Sequence, residues 1–328
     1  MTIFPFMSPK KLWRIIRRSF SDFIDDNVLK LSSSLAFSTI FSLPGLLIII
    51  IWLATIFYGR EIIEGTIYNQ IEGFVGPVAA NSIQETMRST MISGSSRIAT
   101  IIGFASLIIG ATAVFGEIQD SINLIWKLKS KPKKGRGWLR LIINRLLSFS
   151  IIVSLGFILL VSLVINGAMD LLLNELLQRF PDLTVIVVYI VNLVLNFFIT
   201  AFIFGIIFKV LPDAKIEWRH VRVGAFTTAF FFMLGKFLIS YYLSHSQMTT
   251  AYGTTGSIIV VLLWVYFSAM ILYFGAAFTR QYAIEMGSNI YPNKYAVWVE
   301  TIEVPSKKPL QQTNDAQKVE EEKAKVER

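Results

Sequence analysis

Few residues in this chain are suited to bond-breaking chemistry. It has no cysteine and only two histidines, His220 and His245. Thiolate catalysis, disulfides and cysteine-ligated zinc are therefore excluded. Asp22, Asp25 and Asp26 stand close together, but no histidine accompanies them. Phosphodiester cleavage usually needs a metal cluster or a positioned acid–base set. No glycine-rich phosphate loop ending in Lys-Ser/Thr and no serine elbow is present. These residues argue against an enzyme, and the sequence assigns no catalytic residue, no metal and no cofactor.

The informative residues are polar groups inside apolar runs, where each is costly and marks a functional hypothesis. Lys236 interrupts "FFFMLGKFLISYY". It stands roughly 21 Å from the basic end of its helix at ~1.5 Å per residue. It either faces a polar cavity or snorkels outward beside Tyr241 and Tyr242. Asn192 and Asn196, four apart, share a helix face at similar depth. They suit either a cluster with Lys236 or hydrogen bonding between helices. Ser34, Ser38 and Ser42 form a small polar stripe, and Pro44 removes a helical hydrogen bond and predicts a kink. That stripe serves close packing, or binds a cation or headgroup. Glu117, Asp120 and Asn123 follow at three-residue steps, within reach of Lys127, Arg140 or Arg145, as an ion-paired group or a gate. Tyr252, Gly253, Gly256 and Ser257 shape the mouth of the last apolar run. Gly275, Ala276 and Ala277 stand near its other end. Small residues there predict close backbone approach, and free N–H groups at the helix start suit an anionic ligand.

These residues need a membrane to hold them. Of 328 residues, 54% are hydrophobic and 16% charged, against ~25% charged in soluble domains. Six continuous apolar runs predict an all-α, polytopic membrane protein, a bundle of six transmembrane helices. The runs cover about 31–58, 97–126, 140–167, 183–210, 221–243 and 256–280. Twenty-five of the 31 Lys and Arg residues fall in the termini and alternate loops, and four in the remaining loops. Cytoplasmic loops are the basic ones, so both termini are expected in the cytoplasm. The net charge of +9 is then a topology signal rather than a nucleic-acid patch. No cleavable signal peptide is visible.

Residues 1–30 predict an amphipathic interfacial helix, with Trp13, Ile16, Phe20, Phe23 and Ile24 on one side and Lys11, Arg14, Arg17 and Arg18 on another. Such a helix favours anionic lipid. Residues 31–286 form the six-helix domain. Its external segment 59–96 predicts two short amphipathic helices on the outer surface. Residues 287–328 form a charged tail, mostly disordered.

Four blocks carry a family resemblance. They are "SSSLAFSTIFSLPGLL", "GATAVFGEIQDSINLIW", "FKVLPDAKIEWRHVRVGAFTTAFFFMLGKFLISYYL" and "AYGTTGSIIVVLLWVYFSAMILYFGAAFTRQYA". In order and spacing, over roughly residues 30–285, the chain resembles the YihY/BrkB membrane proteins, long mislabelled as ribonuclease BN. The resemblance implies a bacterial inner-membrane protein of six helices. It also implies an unsettled function, tied to envelope or virulence phenotypes and suspected transport. Family members often carry Glu in a "GAEFT" ending. Here the segment is "GAAFT" with Ala277, and a mechanism resting on that carboxylate is not carried over.

Two functions stay open. A transporter or lipid or solute translocase predicts a polar cavity lined by Ser34, Ser38, Asn192, Asn196, Lys236 and the Gly253–Ser257 entrance. A non-transporting envelope scaffold predicts a sealed bundle acting through its external segment and charged tails. Both leave a homo-oligomer open.

Overall fold

The computed structural model describes residues 8–42, 72, 77–92, 97–130, 181–245, 256–287, 290–293 and 296–300. The predicted span 140–167, Pro44, the first part of the external segment, Tyr252, Gly253 and the tail beyond residue 300 lie outside them. Seven helices are described. They are α1 (Pro9–Asp25), α2 (Val28–Ser42), α3 (Pro77–Ile92), α4 (Arg97–Ile125), α5 (Pro181–Val210), α6 (Trp218–His245) and α7 (Gly256–Glu285). Of two compact units, Met1–Val297 contains every described helix. In the second, residues 298–300 are described.

Local sequence explains the boundaries. Pro9 opens α1 after extended Ser8, because proline's fixed φ suits a first helical turn and its missing N–H is not needed there. Asn27 at φ 52° turns the chain out of α1, and its N–H reaches the Ile24 carbonyl. Asparagine tolerates this left-handed conformation. Gly287 at φ 69° ends α7 in the same way. Ile190–Val210 within α5, all of α6 and all of α7 are long and apolar enough to cross a membrane. This is a helical membrane protein.

Helix α7 packs against α6, α1, α3 and α4. Its seam with α6 is reciprocal. Gly224 of α6 receives the side chain of Thr279, and Gly275 of α7 receives that of Thr228. Each threonine hydroxyl donates to the carbonyl four residues back, Thr228 to Gly224 and Thr279 to Gly275, both at 2.7 Å. The seam thus hides its polar atoms within each helix and brings the two backbones together. Ile271 fits against Gly235 further along, and Tyr242 meets Phe267 edge-on at 6.1 Å. The helices therefore run antiparallel in one register over most of their length. Gly110 of α4 backs directly onto Ser42 of α2. Trp126, Tyr273, Phe208, Ile122 and Ile125 fill the core.

Short strands fasten the loops at the α1 end. β1 (Leu128–Ser130) pairs with β4 (Ala296–Trp298), and β2 (Ala214–Lys215) pairs antiparallel with β3 (Tyr291–Pro292), Lys215 opposite Tyr291. The 59–96 segment contributes α3, which packs one face on the bundle. Ala79 and Ala80 of α3 are buried beside Trp264, and Val78 packs against the cluster of Ile239, Leu243 and Val260. The alanines let α3 settle between the far ends of α6 and α7.

A side chain at Gly275 would overlap Thr228, whereas nothing lies within 4 Å of a Cβ at Gly116. Gly275→Ala is expected to destabilise the protein by about 1–3 kcal/mol. Gly116→Ala is expected to be neutral, or stabilising by up to about 1 kcal/mol. Thermal unfolding in detergent compares them, and equal midpoints would contradict the seam.

Candidate functional site

Lys236 lies in the half of α6 farther from α1. The α6–α7 register sets it level with Phe267 and Ser268, about one turn from the level of Trp264. It is half-buried, and the Glu72 carboxylate is close enough to act on its charge. Trp264 presents its ring edge-on to Phe232 at 6.1 Å. The Trp264 indole N–H and the Ser268 hydroxyl are buried without a hydrogen-bond partner among the described residues. Gly256 and Ser257 are buried at the start of the same helix. At the levels where α3 packs on α6 and α7, the pair thus carries an ammonium, an indole N–H and a hydroxyl in a largely apolar stretch, with the Glu72 carboxylate in electrostatic range of the ammonium. Buried donors of this kind cost free energy when unpaired, and they match an anionic or hydroxylated group.

The other predicted residues lie elsewhere. Asn192 and Asn196 are half-buried on α5, and the side-chain Oδ1 of Asn196 has no partner among the described residues. Gly205, which meets Trp218 and Ala225 of α6, falls about half a turn around α5 from Asn196 at ~100° per residue. The described contacts therefore do not join the asparagines to Lys236. Ser34 and Ser38 are half-buried and Ser42 is buried. Ser42 donates to the Thr39 carbonyl at 3.1 Å and forms the contact with Gly110, so its small size serves packing. Glu117 is half-buried near Asp120 and the Tyr273 hydroxyl, and Asp120 is exposed, within range of Glu117 and Asp213.

Asn123 has a partner other than those expected. Its amide donates to Asp213 Oδ2 at 3.2 Å and its oxygen accepts the Asp213 N–H at 2.8 Å. Gln119 donates to Asp213 Oδ1 at 3.3 Å, Ser130 donates to Oδ2, and Asn293 N–H reaches the Asp213 carbonyl at 2.9 Å. Every polar group of this buried aspartate is used, joining α4, the α5–α6 loop, β1 and the segment after α7. Lys127 pairs instead with Asp26. Burial lifts the Asp26 carboxyl above its ordinary value, and Lys127 beside it opposes that rise. Asp22 accepts from Arg280 at 3.0 Å and from Gln281 at 2.6 Å, and Arg14 and Arg18 reach Glu285. These pairs clamp α1 to the end of α7.

Sequence reasoning missed Asp213, Glu72 and the two seam threonines. Gly-x-x-x-Thr at 224–228 and again at 275–279 was the available signal for the threonines. A loop "PD" between apolar runs gave little for Asp213.

Asn123→Ala leaves the Asp213 N–H unpaired and removes one of the two donors to its Oδ2. It is expected to cost about 1–3 kcal/mol in thermal unfolding, more than Asp120→Asn on the exposed side of the same helix.

The family model described as virulence factor BrkB matches residues 19–295. A UPF0761 membrane protein of Pseudoalteromonas atlantica is 25% identical over 257 residues, 78% of this chain and 81% of the relative. One from Haemophilus influenzae is 24% identical, covering 77% and 89%. Another from Stenotrophomonas maltophilia is 24% identical over 80% of this chain but only 59% of its own length, so the chain spans a little over half of some curated relatives. No solved structure matches. With four fifths of its length inside that match, the chain belongs to the virulence factor BrkB family of membrane proteins.

Proposed function

We propose that this protein is a transporter, a lipid or solute translocase of the bacterial inner membrane. In this reading six helices cross the bilayer, both termini lie in the cytoplasm, and no catalytic step is involved. One observation carries the proposal: the half-buried Lys236, set in the apolar stretch Phe230–Ile239, within electrostatic range of Glu72 and level with Ser268, whose hydroxyl has no partner among the described residues. An ammonium in such surroundings needs a counter-charge. Glu72 supplies one, and a carboxylate or phosphate on the cargo supplies another. Exchange of Glu72 for the cargo's anion at Lys236 would then open the α3–α6–α7 junction towards the external side. The α6–α7 seam, closed by Thr228 and Thr279, would block the path from the α1 end until the helices part.

The alternative is a non-transporting envelope scaffold. The tight glycine–threonine seam favours it, since a sealed bundle needs such packing.

Thermal unfolding of the purified protein, against a panel of ions, anionic solutes and lipid headgroups, separates the two. A ligand specific to the folded state raises stability by about 2.7 kcal/mol at a hundred times its Kd. The expected result is a saturable shift with an anionic member, lost in Lys236→Met and strengthened in Glu72→Gln. A shift unchanged in Lys236→Met would remove that residue from the site. No shift across solutes and lipids would leave the scaffold as the better account.

A further inference from the structure

Helix α1 has more basic residues than the fold uses. Ile15, Ser19 and Asp26 are buried, Ile15 packs with Val223, Phe278 and Tyr282, and Asp22 is bound to α7. Arg14 and Arg18 are committed to Glu285. Lys10, Lys11 and Arg17 are exposed and make no ion pair among the described residues.

The exposed side divides by angle. At ~100° per residue, Trp13, Phe20 and Ile24 fall within an arc of about 40°. They are 66%, 55% and 71% exposed, too much apolar surface for water to cover without reason. Arg17 and Lys10 follow about 20–40° beyond Ile24, at the rim of that arc, while Lys11 lies on the far side with Arg18. The apolar strip continues into α2, where Leu29, Phe37 and Phe41 are exposed. An apolar arc with tryptophan, rimmed by two cations and continuous with an apolar helix, matches the headgroup boundary of a bilayer.

We infer that this arc of α1 binds anionic phospholipid, with Trp13, Phe20 and Ile24 set among the acyl-chain ends and Lys10 and Arg17 against the phosphates. The ion pairs at Asp22 and Glu285 hold the arc at a fixed angle to α7, so the surface is formed before lipid arrives. This site is independent of Lys236 and does not rest on the transport proposal.

The test uses the full chain in detergent, titrated with phosphatidylglycerol, phosphatidylcholine or soluble glycerol phosphate while thermal unfolding is followed. Phosphatidylglycerol is expected to raise the midpoint more than phosphatidylcholine, and glycerol phosphate is expected to leave it unmoved. Each near-surface charge is worth about fivefold in affinity. Lys10→Gln with Arg17→Gln should therefore weaken the phosphatidylglycerol response about twenty-five-fold, with the lipid-free midpoint unchanged. Lys11→Gln removes a charge from the opposite side and is expected to cost less than either single change. Three results would overturn the assignment: equal shifts with both lipids, a full shift with glycerol phosphate, or an unweakened response in the double variant. Because the chain lacks cysteine, a spin label at Ile24→Cys gives a second measurement. It should be shielded from aqueous relaxation agents in vesicles containing phosphatidylglycerol, and an aqueous label there would also sink the proposal.

Discussion

The close approach of α6 and α7 is the constraint from which most of the remaining geometry follows. Two glycines remove the side chains that would hold the backbones apart, and two threonines fill the space across the gap. In a bilayer the hydrophobic effect does not drive helices together, so contact must come from van der Waals packing at short range. Backbone proximity multiplies those contacts. The register is fixed as well, because Thr228 and Thr279 each fit one hollow. Shifting either helix by a residue would place a side chain against a side chain. Once that register is set, Lys236 is level with Ser268, and α3 finds a groove lined by Trp264, Ile239 and Leu243.

The two ends of the bundle are held by different physics. At the α1 end the links are polar and cooperative. Asp213 ties four segments through its backbone and both carboxylate oxygens, while Asp22, Asp26 and Glu285 tie the α1 region to α7 and to Lys127 just beyond α4. The Trp126 indole adds a bond to the Ala276 carbonyl at 3.1 Å. Such a network loses far more than one bond when a member is removed, since the rest stay buried and unpaired. At the α3 end the contacts are mainly apolar, with Ala79, Ala80 and Val78 against α6 and α7. Weak, non-directional contacts permit sliding that a satisfied network resists.

Much of this was legible in the sequence because its signals are one-dimensional. Uninterrupted apolar length marked α5, α6 and α7, and each is described as a helix of spanning length. The small residues at 275–277 announced a close approach, and Gly275 makes one, while Ala276 and Ala277 are fully buried. Lys236 stood out as a charge in an apolar run. The partners were not legible, because they come from distant segments brought together only by folding. Asn123 and Asp213 are 90 residues apart. Asn123 read as part of an ion-paired group or a gate with Glu117 and Asp120; helical rotation buries it against Asp213 of a loop, while Asp120 lies exposed. Likewise the periodicity of α1 showed two faces, but only the docked helix shows that its basic residues divide between Glu285 and the exposed rim.

Ala277 shows how the same packing limits mechanism. The resembled family often carries glutamate at this position, and here the residue is fully buried between Ala276 and Phe278, beside the Trp126–Ala276 bond. A carboxylate in that place would be taken out of water and would need a donor or cation to offset several kcal/mol of desolvation. The Trp126 indole, the donor bonded at the neighbouring residue, is already held by the Ala276 carbonyl. With alanine the core closes without that demand, and Trp126 packs to zero exposure. Among the described residues, buried or half-buried charge gathers around Asp213 near the α1 end and around Lys236 near the α3 end. If the protein transports as proposed, cargo passing between these levels would have to part the Gly224–Thr279 and Thr228–Gly275 seam, and the resistance to passage would come from that packing rather than from a carboxylate at 277.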